Sequence, residues 1–113
     1  MGLHAVEAMT STRDQLRVLD SMAEPAKSEA QVNAMVGVTP MIGLNDVSPE
    51  VFTSGDAVLL VNEARNTGIG FLGFWSATRD QQCPKRQVVS PTCSGITQGP
   101  WEFTAVFKLF SGY

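Results

Sequence analysis

The sequence predicts an α/β fold with parallel strands, of which this chain holds a part. Segments with helical spacing of apolar residues alternate with two short, almost continuously apolar segments, the pattern of βα units on a parallel sheet. The 113 residues suffice for one small domain, and a second domain does not fit. Two parallel strands cannot protect both faces and both edges of a sheet. We therefore expect part of an α/β domain.

The first element is an amphipathic helix between Leu3 and Met22. Its apolar residues recur at spacings of three or a small multiple of three, with charged residues between them, which indicates a helix with one buried face. Residues 23–27, which include Pro25, form a break. Ser28 is a suitable cap for a short helix that ends near Ala34.

The first strand is predicted between Met35 and Gly43, where the residues are apolar or compatible with β structure. Such a run fits a strand that is covered on both faces. Pro40 argues against regular pairing along its whole length, because proline cannot donate to the ladder. Residues 44–49 are predicted to be a polar loop.

The best-defined helix begins after Thr53. Thr53 and Asp56 have the spacing of a capping box, apolar residues follow at helical intervals, and Gly68 supplies a C-terminal stop. The second buried strand follows at Ile69–Trp75. We expect a loop over residues 77–99 and a last helix after Pro100.

Composition excludes several classes of function. Eight basic residues against eleven acidic ones, scattered along the chain, form no patch for nucleic acid. The apolar runs are far shorter than the roughly 20 residues of a membrane span. Residues 1–7 lack the basic start and apolar core of a secretory signal.

The two cysteines, Cys83 and Cys93, lie in a segment rich in Pro, Gly and Ser. With a single histidine in the chain, a zinc centre is not expected. Their spacing differs from that of a redox Cys-x-x-Cys pair. We expect a structural disulfide and therefore an oxidising compartment, which conflicts with the missing signal.

Four blocks of sequence together resemble the C-terminal portion of the secreted glycoside hydrolase family 18 chitinases. They keep the family's order and spacing and extend over most of the chain. The blocks are VTPMIGLNDV (38–47), EVFT (50–53), GFWSATRDQQCP (73–84) and SPTCSGI (90–96).

This resemblance implies an incomplete fragment of a (β/α)8 TIM barrel with two parallel strands and about three helices. Residues 1–113 would be the C-terminal part of the catalytic domain, with Val36–Gly43 as strand seven and Ile69–Trp75 as strand eight. Met1 then falls at an internal position, and the first six strands have no counterpart. Such barrels need about 250 residues.

The family's catalytic signature, Asp-x-x-Asp-x-Asp-x-Glu, is not found in this sequence. In the family the substrate's own acetamido group attacks the anomeric carbon while the Glu of that signature protonates the leaving oxygen. We therefore predict no catalytic residue here. Glu50 and Glu102 are expected beside helix starts, where the helix dipole favours a carboxylate, and neither replaces the acid.

The resemblance implies substrate-binding roles for four residues. Trp75 would be the floor on which a sugar stacks, although tryptophan in an apolar strand is more often core. Asn45 and Asp46 would bond sugar hydroxyls or the N-acetyl group, or would simply stabilise a turn. Met41 would line the pocket, or would fill space. Arg79 and Asp80 are expected to fix the shape of their loop.

Three hypotheses follow for function. The first is an inactive fragment of a chitinase whose intact, extracellular parent hydrolyses β-1,4 N-acetylglucosamine linkages. The alternative is a non-catalytic remnant that binds chitin or chitooligosaccharides, and a third is complementation by another chain that supplies the first six strands. No cofactor or metal is expected, nor nucleic acid or membrane as a partner. The unpaired strand edges favour self-association.

Overall fold

The computed structural model describes residues 2–47, 49–84 and 88–112. Two helices are followed by three short strands, a long helix, a fourth strand and a last helix, and single 3₁₀ turns lie at Ala77–Arg79 and Leu109–Ser111. The elements are α1 (Gly2–Asp20), α2 (Glu29–Asn33), β1 (Gly37–Val38), β2 (Gly43–Leu44), β3 (Val51–Phe52), α3 (Ser54–Thr67), β4 (Phe71–Leu72) and α4 (Glu102–Lys108).

The two predicted parallel strands are present and lie side by side. β1 and β4 pair in parallel, with Gly37 opposite Phe71. Hydrogen bonds continue the pairing beyond the regular strands, because the Trp75 N–H donates to the Pro40 carbonyl at 2.8 Å and the Ile42 N–H to the Trp75 carbonyl at 3.0 Å. α3 connects the two strands as the crossover that parallel pairing requires.

The prediction of a plain loop over residues 44–49 was wrong at its start. β2 and β3 form an antiparallel pair, with Gly43 opposite Phe52. Phe52 is fully buried and fixes this hairpin to the core. Glu50 therefore precedes a strand rather than a helix start. Strands of two residues have no period that a sequence pattern can detect.

Both predicted helix caps are present. Ser28 caps α2 and forms a capping box with Gln31. Thr53 and Asp56 form the predicted capping box of α3, and Gly68 ends that helix with a left-handed φ of 79°. These side chains satisfy N–H groups that the first helical turn leaves free.

The helices cover one face of the parallel pair. Val38, Leu72 and Phe74 pack against a buried cluster that includes residues of α3 and α4. Alternate residues of β4 point to the other face, where Phe71 and Trp75 are 59% and 62% exposed. Within the described residues, no helix is both long and apolar enough to cross a membrane.

Candidate functional site

The predicted binding residues lie where the two parallel strands end. Trp75 follows β4, and a parallel bridge joins it to Met41 in the continuation of β1. The Trp75 side chain is 62% exposed, whereas Met41 is half-buried. The peptide bond between Trp75 and Ser76 is cis. An aromatic face is thus available at the carboxyl end of the sheet, where parallel α/β folds place their sites.

Asn45 stabilises the turn that follows β2. Its side-chain amide nitrogen donates to the carbonyls of Met41 and Gly43, each at 3.0 Å, and its main-chain N–H donates to the Glu50 carbonyl at 3.0 Å. The side-chain nitrogen is therefore used within the turn. The amide oxygen of Asn45 can in addition accept a hydrogen bond.

Asp46 is exposed beside Asn45. Burial lowers the pKa of Arg79, and the negative charge of Asp46 opposes that shift. Asp46 thus offers a carboxylate to solvent and also acts on a buried cation. Contacts between described residues link Trp75, Met41 and Asn45 in series, and Asp46 follows Asn45 directly in the chain.

A cavity of about 410 Å³ opens beside Met41 and Asn45. Residues of α1 form one wall, and β1 with its continuation forms the other. The lining residues include His4, Ala5, Ala8, Met9, Gly37, Val38, Thr39, Met41 and Asn45. Trp75 does not line this cavity. Met41 and Asn45 therefore lie at a cavity beside β1, whereas Trp75 lies on an open surface that follows β4.

The structure places the Arg79 side chain in the interior of the protein, which its position in a loop of the sequence did not indicate. Its side chain is 1% exposed and donates through Nε to the Ser90 carbonyl at 2.8 Å and through Nη2 to the Leu44 carbonyl at 2.7 Å. Nη1 donates to the Ile42 carbonyl. The expectation that Arg79 fixes a loop is confirmed, and its contacts extend to the hairpin that carries Asn45.

Asp80 points the other way and holds α4. Its carboxylate accepts hydrogen bonds from the main-chain N–H groups of Phe103 at 3.0 Å and Thr104 at 2.8 Å, from the Thr104 hydroxyl at 2.6 Å and from the Gln98 amide at 2.8 Å. Trp101 precedes α4 with a left-handed φ of 58°. Asp80 thus provides the cap that Trp101 cannot supply.

The predicted pairing of Cys83 with Cys93 is present as a disulfide, with Cα atoms 5.0 Å apart. It closes the segment that supplies Ser90 to Arg79. Among the described residues, no group of three or more His, Cys, Asp or Glu side chains is arranged to hold a metal ion.

Comparisons with known proteins identify the relatives of this chain. No protein-family model matches it. A probable bifunctional chitinase/lysozyme of Escherichia coli strain K12 is 38% identical over 113 residues, which cover 97% of this chain and 12% of that protein. Endochitinase 11 of Metarhizium anisopliae is 42% identical over 79 residues, which cover 70% of this chain and 14% of that protein.

A solved structure agrees with these sequence matches. The catalytic domain of the hyperthermophilic chitinase of Pyrococcus furiosus superposes with a TM-score of 0.87 at 37% identity and covers 99% of this chain. This chain is related to the chitinases. It spans 36% of the solved chitinase chain, and its fold is accordingly a fragment of a TIM barrel, as the sequence predicted.

Proposed function

We propose that this chain forms strands seven and eight of a family 18 chitinase barrel and supplies part of its substrate-binding surface. The parent protein would hydrolyse β-1,4 linkages between N-acetylglucosamine units with retention of configuration. One observation carries the proposal. Trp75 is 62% exposed at the carboxyl end of a barrel strand, in a chain related to chitinases.

Each predicted residue has a chemical task in this proposal. The indole of Trp75 stacks on the apolar face of a sugar ring, while Met41 lines the pocket from the adjacent strand. The amide oxygen of Asn45 and the carboxylate of Asp46 accept hydrogen bonds from sugar hydroxyls or from an acetamido N–H. These contacts orient the substrate, and proton transfer to the leaving oxygen belongs to the Glu of a signature that this sequence lacks.

Binding is tested with the purified chain and N,N′,N″,N‴-tetraacetylchitotetraose by isothermal titration calorimetry. We expect binding by the wild type and its loss in Trp75→Ala. Trp101→Ala is the matched control, because Trp101 is 60% exposed but lies at the start of α4. Absence of binding by the wild type, or equal binding by Trp75→Ala, would contradict the proposed surface.

Hydrolysis is tested separately with a fluorogenic chitobioside. We expect no turnover by the 113-residue chain, since the general acid of the mechanism is missing from this sequence. Measurable turnover that disappears in Trp75→Ala would show that this surface supports hydrolysis without the signature Glu and would overturn this part of the proposal.

The second candidate function is non-catalytic retention of chitin oligosaccharides by the same surface. The exposure of Trp75 favours it, because binding requires no general acid. Pull-down of the monomeric chain on chitin beads, abolished by Trp75→Ala, would support this role, and failure of the wild type to bind would exclude it.

We also propose an extracellular parent protein. The support is the Cys83–Cys93 disulfide, because such bonds persist in oxidising environments. Sequencing the DNA upstream of the codon for Met1 tests this, since an in-frame extension with a signal peptide is the expected result and an extension to a start codon without a signal peptide would contradict it. An upstream stop codon would indicate a truncated gene.

A further inference from the structure

Arg79 places a positive charge inside a small chain, and it forms no ion pair with the residues that the structure describes. Its side chain is 1% exposed, and its described hydrogen bonds all go to main-chain carbonyls. Burying a charge is unfavourable unless hydrogen bonds compensate for the lost hydration. A guanidinium has five donors in a rigid fork, so it can hold several carbonyls in fixed relative positions.

The carbonyls that Arg79 holds belong to two segments distant in sequence. Ile42 and Leu44 lie at the start of the β2–β3 hairpin, which carries Asn45 and Asp46. Ser90 and Ser94 flank the disulfide residue Cys93. In sequence, Arg79 is 37 residues from Ile42 and 35 from Leu44. It is 11 residues from Ser90 and 15 from Ser94.

The two segments are in close main-chain contact where Arg79 joins them. The Leu44 N–H donates to the Ser94 carbonyl at 2.8 Å, and the same carbonyl accepts from Arg79 at 3.4 Å. Gly43 has a φ of 70°, and a Cβ atom on it would lie 2.1 Å from the Ser94 oxygen. Only glycine permits this approach, so the hairpin and the disulfide segment fit together closely.

We propose that Arg79 is a positioning residue that fixes the Asn45–Asp46 turn against the disulfide segment and so holds the substrate-binding groups in place before ligand arrives. This inference rests on the proposed function for the role of the turn, and on the hydrogen bonds of Arg79 for the coupling. The disulfide thereby acts on the turn through the segment that Arg79 holds.

The coupling is tested by amide hydrogen exchange of the full chain without ligand, in the wild type, Arg79→Met and Arg79→Lys. In Arg79→Met we expect the amides of Leu44 and Asn45 to exchange about tenfold faster or more, because loss of the fork frees the turn to open locally. The amides of Leu60 and Val61 in α3 should keep their wild-type rates. In Arg79→Lys the exchange rates of the Leu44 and Asn45 amides should lie between those of the wild type and Arg79→Met, since an ammonium donates three hydrogen bonds but lacks the planar fork.

Two outcomes would overturn the proposal. Unchanged exchange at Leu44 and Asn45 would show that Arg79 does not hold the turn, and equal acceleration in α3 would show that it contributes only to global stability. If Arg79→Met does not fold, the same comparison in Arg79→Lys decides the question.

Ligand binding separates this inference from the proposed function. If the wild type binds tetraacetylchitotetraose, Arg79→Lys should weaken binding about three- to tenfold through the cost of ordering the turn, and unchanged affinity would overturn the substrate role of Arg79. If the wild type does not bind, the proposed function fails together with that role, while the exchange rates still decide whether Arg79 couples the two segments.

Discussion

At the residue scale, the Asp56 carboxylate takes part in the capping box of α3 and has a lowered pKa. Burial raises the pKa of Asp56, but hydrogen bonds from Thr53 and from the main chain of Gly2 outweigh burial and lower it. The Thr53 N–H donates to this carboxylate at 2.8 Å. A lowered pKa in the folded state means that the ionised carboxylate stabilises the fold.

This shift predicts a defined dependence on pH. The contribution of Asp56 is present above its unfolded pKa of about 3.9 and is lost as the pH falls through the lower folded value. Asp56→Asn keeps an acceptor for Thr53 but removes the charge at the start of α3, so we expect a loss of about 0.5–1 kcal/mol at neutral pH. The loss should shrink towards zero in acid, measured by urea unfolding over that range.

A charge control comes from the same helix. Glu63→Gln removes a negative charge beyond the first turn of α3 and should not reproduce the effect. A difference between Asp56→Asn and wild type that stays constant from neutral to acidic pH would contradict the assignment, because the effect would then not depend on ionisation.

At the scale of elements, α4 depends on a single buried carboxylate. Asp80 is fully buried and accepts from Phe103, Thr104 and Gln98. Asp80→Ala leaves these donors unpaired, so we expect the free energy of unfolding to fall by about 3 kcal/mol. Chemical denaturation followed by far-UV circular dichroism measures this loss.

The matched variants define what the Asp80 result means. Asp80→Asn retains an accepting oxygen and should lose less stability than Asp80→Ala, whereas Asp46→Ala removes an exposed carboxylate and should change stability little. An Asp80→Ala variant as stable as Asp46→Ala would show that α4 needs no such cap.

The disulfide segment is a second element with a measurable contribution. Cys83 and Cys93 are ten residues apart in sequence, and closing a loop of this length stabilises a fold by about 2–3 kcal/mol. The double variant Cys83→Ser, Cys93→Ser should lose that amount in urea unfolding. Reducing agent should destabilise the wild type equally and leave the double variant unchanged; an effect on both would point to a cause other than the disulfide.

Local signals explain which elements were predictable. Caps such as Ser28, Thr53 and Gly68 lie next to the helices that they delimit, so spacing alone located them. The β2–β3 hairpin was missed because it depends on Phe52 reaching the core rather than on any period within the strands.

The candidate site was predictable only where sequence neighbours define it. Trp75 is the last residue of the second predicted strand, so its position at the carboxyl end of the sheet could be inferred from its neighbours in the sequence. The hydrogen bonds of Arg79 do not, because their carbonyl acceptors lie up to 37 residues away and an arginine in a polar loop is normally exposed. Main-chain acceptors also cannot be recognised from the sequence, since every residue has a carbonyl group.

At the scale of the whole molecule, the chain is an open layer rather than a closed domain. Its radius of gyration is 15.7 Å, whereas a compact domain of this length has about 13 Å. Among the described residues, β1 and β4 pair only with each other, so each has a free outer edge. The face of this pair opposite the helices exposes Phe71 and Trp75.

Such a surface predicts self-association of the isolated chain. Exposed apolar faces and unpaired strand edges drive association at concentrations of about 1–100 μM, and Phe71 lies on this face opposite Gly37 of β1. We expect sedimentation velocity to show dimers or larger species for the wild type. Phe71→Lys should shift the chain towards monomer, because a charge on this face opposes its burial.

The outer side of α3 supplies the control for this prediction. Val58 is 45% exposed there, so Val58→Lys adds the same charge away from the open sheet face and should leave the sedimentation profile unchanged. If Val58→Lys and Phe71→Lys disperse the protein equally, the open sheet face is not the contact, because each substitution only lowers the net negative charge of the chain, which is −3 in the wild type, and a smaller net charge does not by itself oppose association. If neither does, the contact runs through the strand edges, because their main-chain groups are unaffected by either substitution.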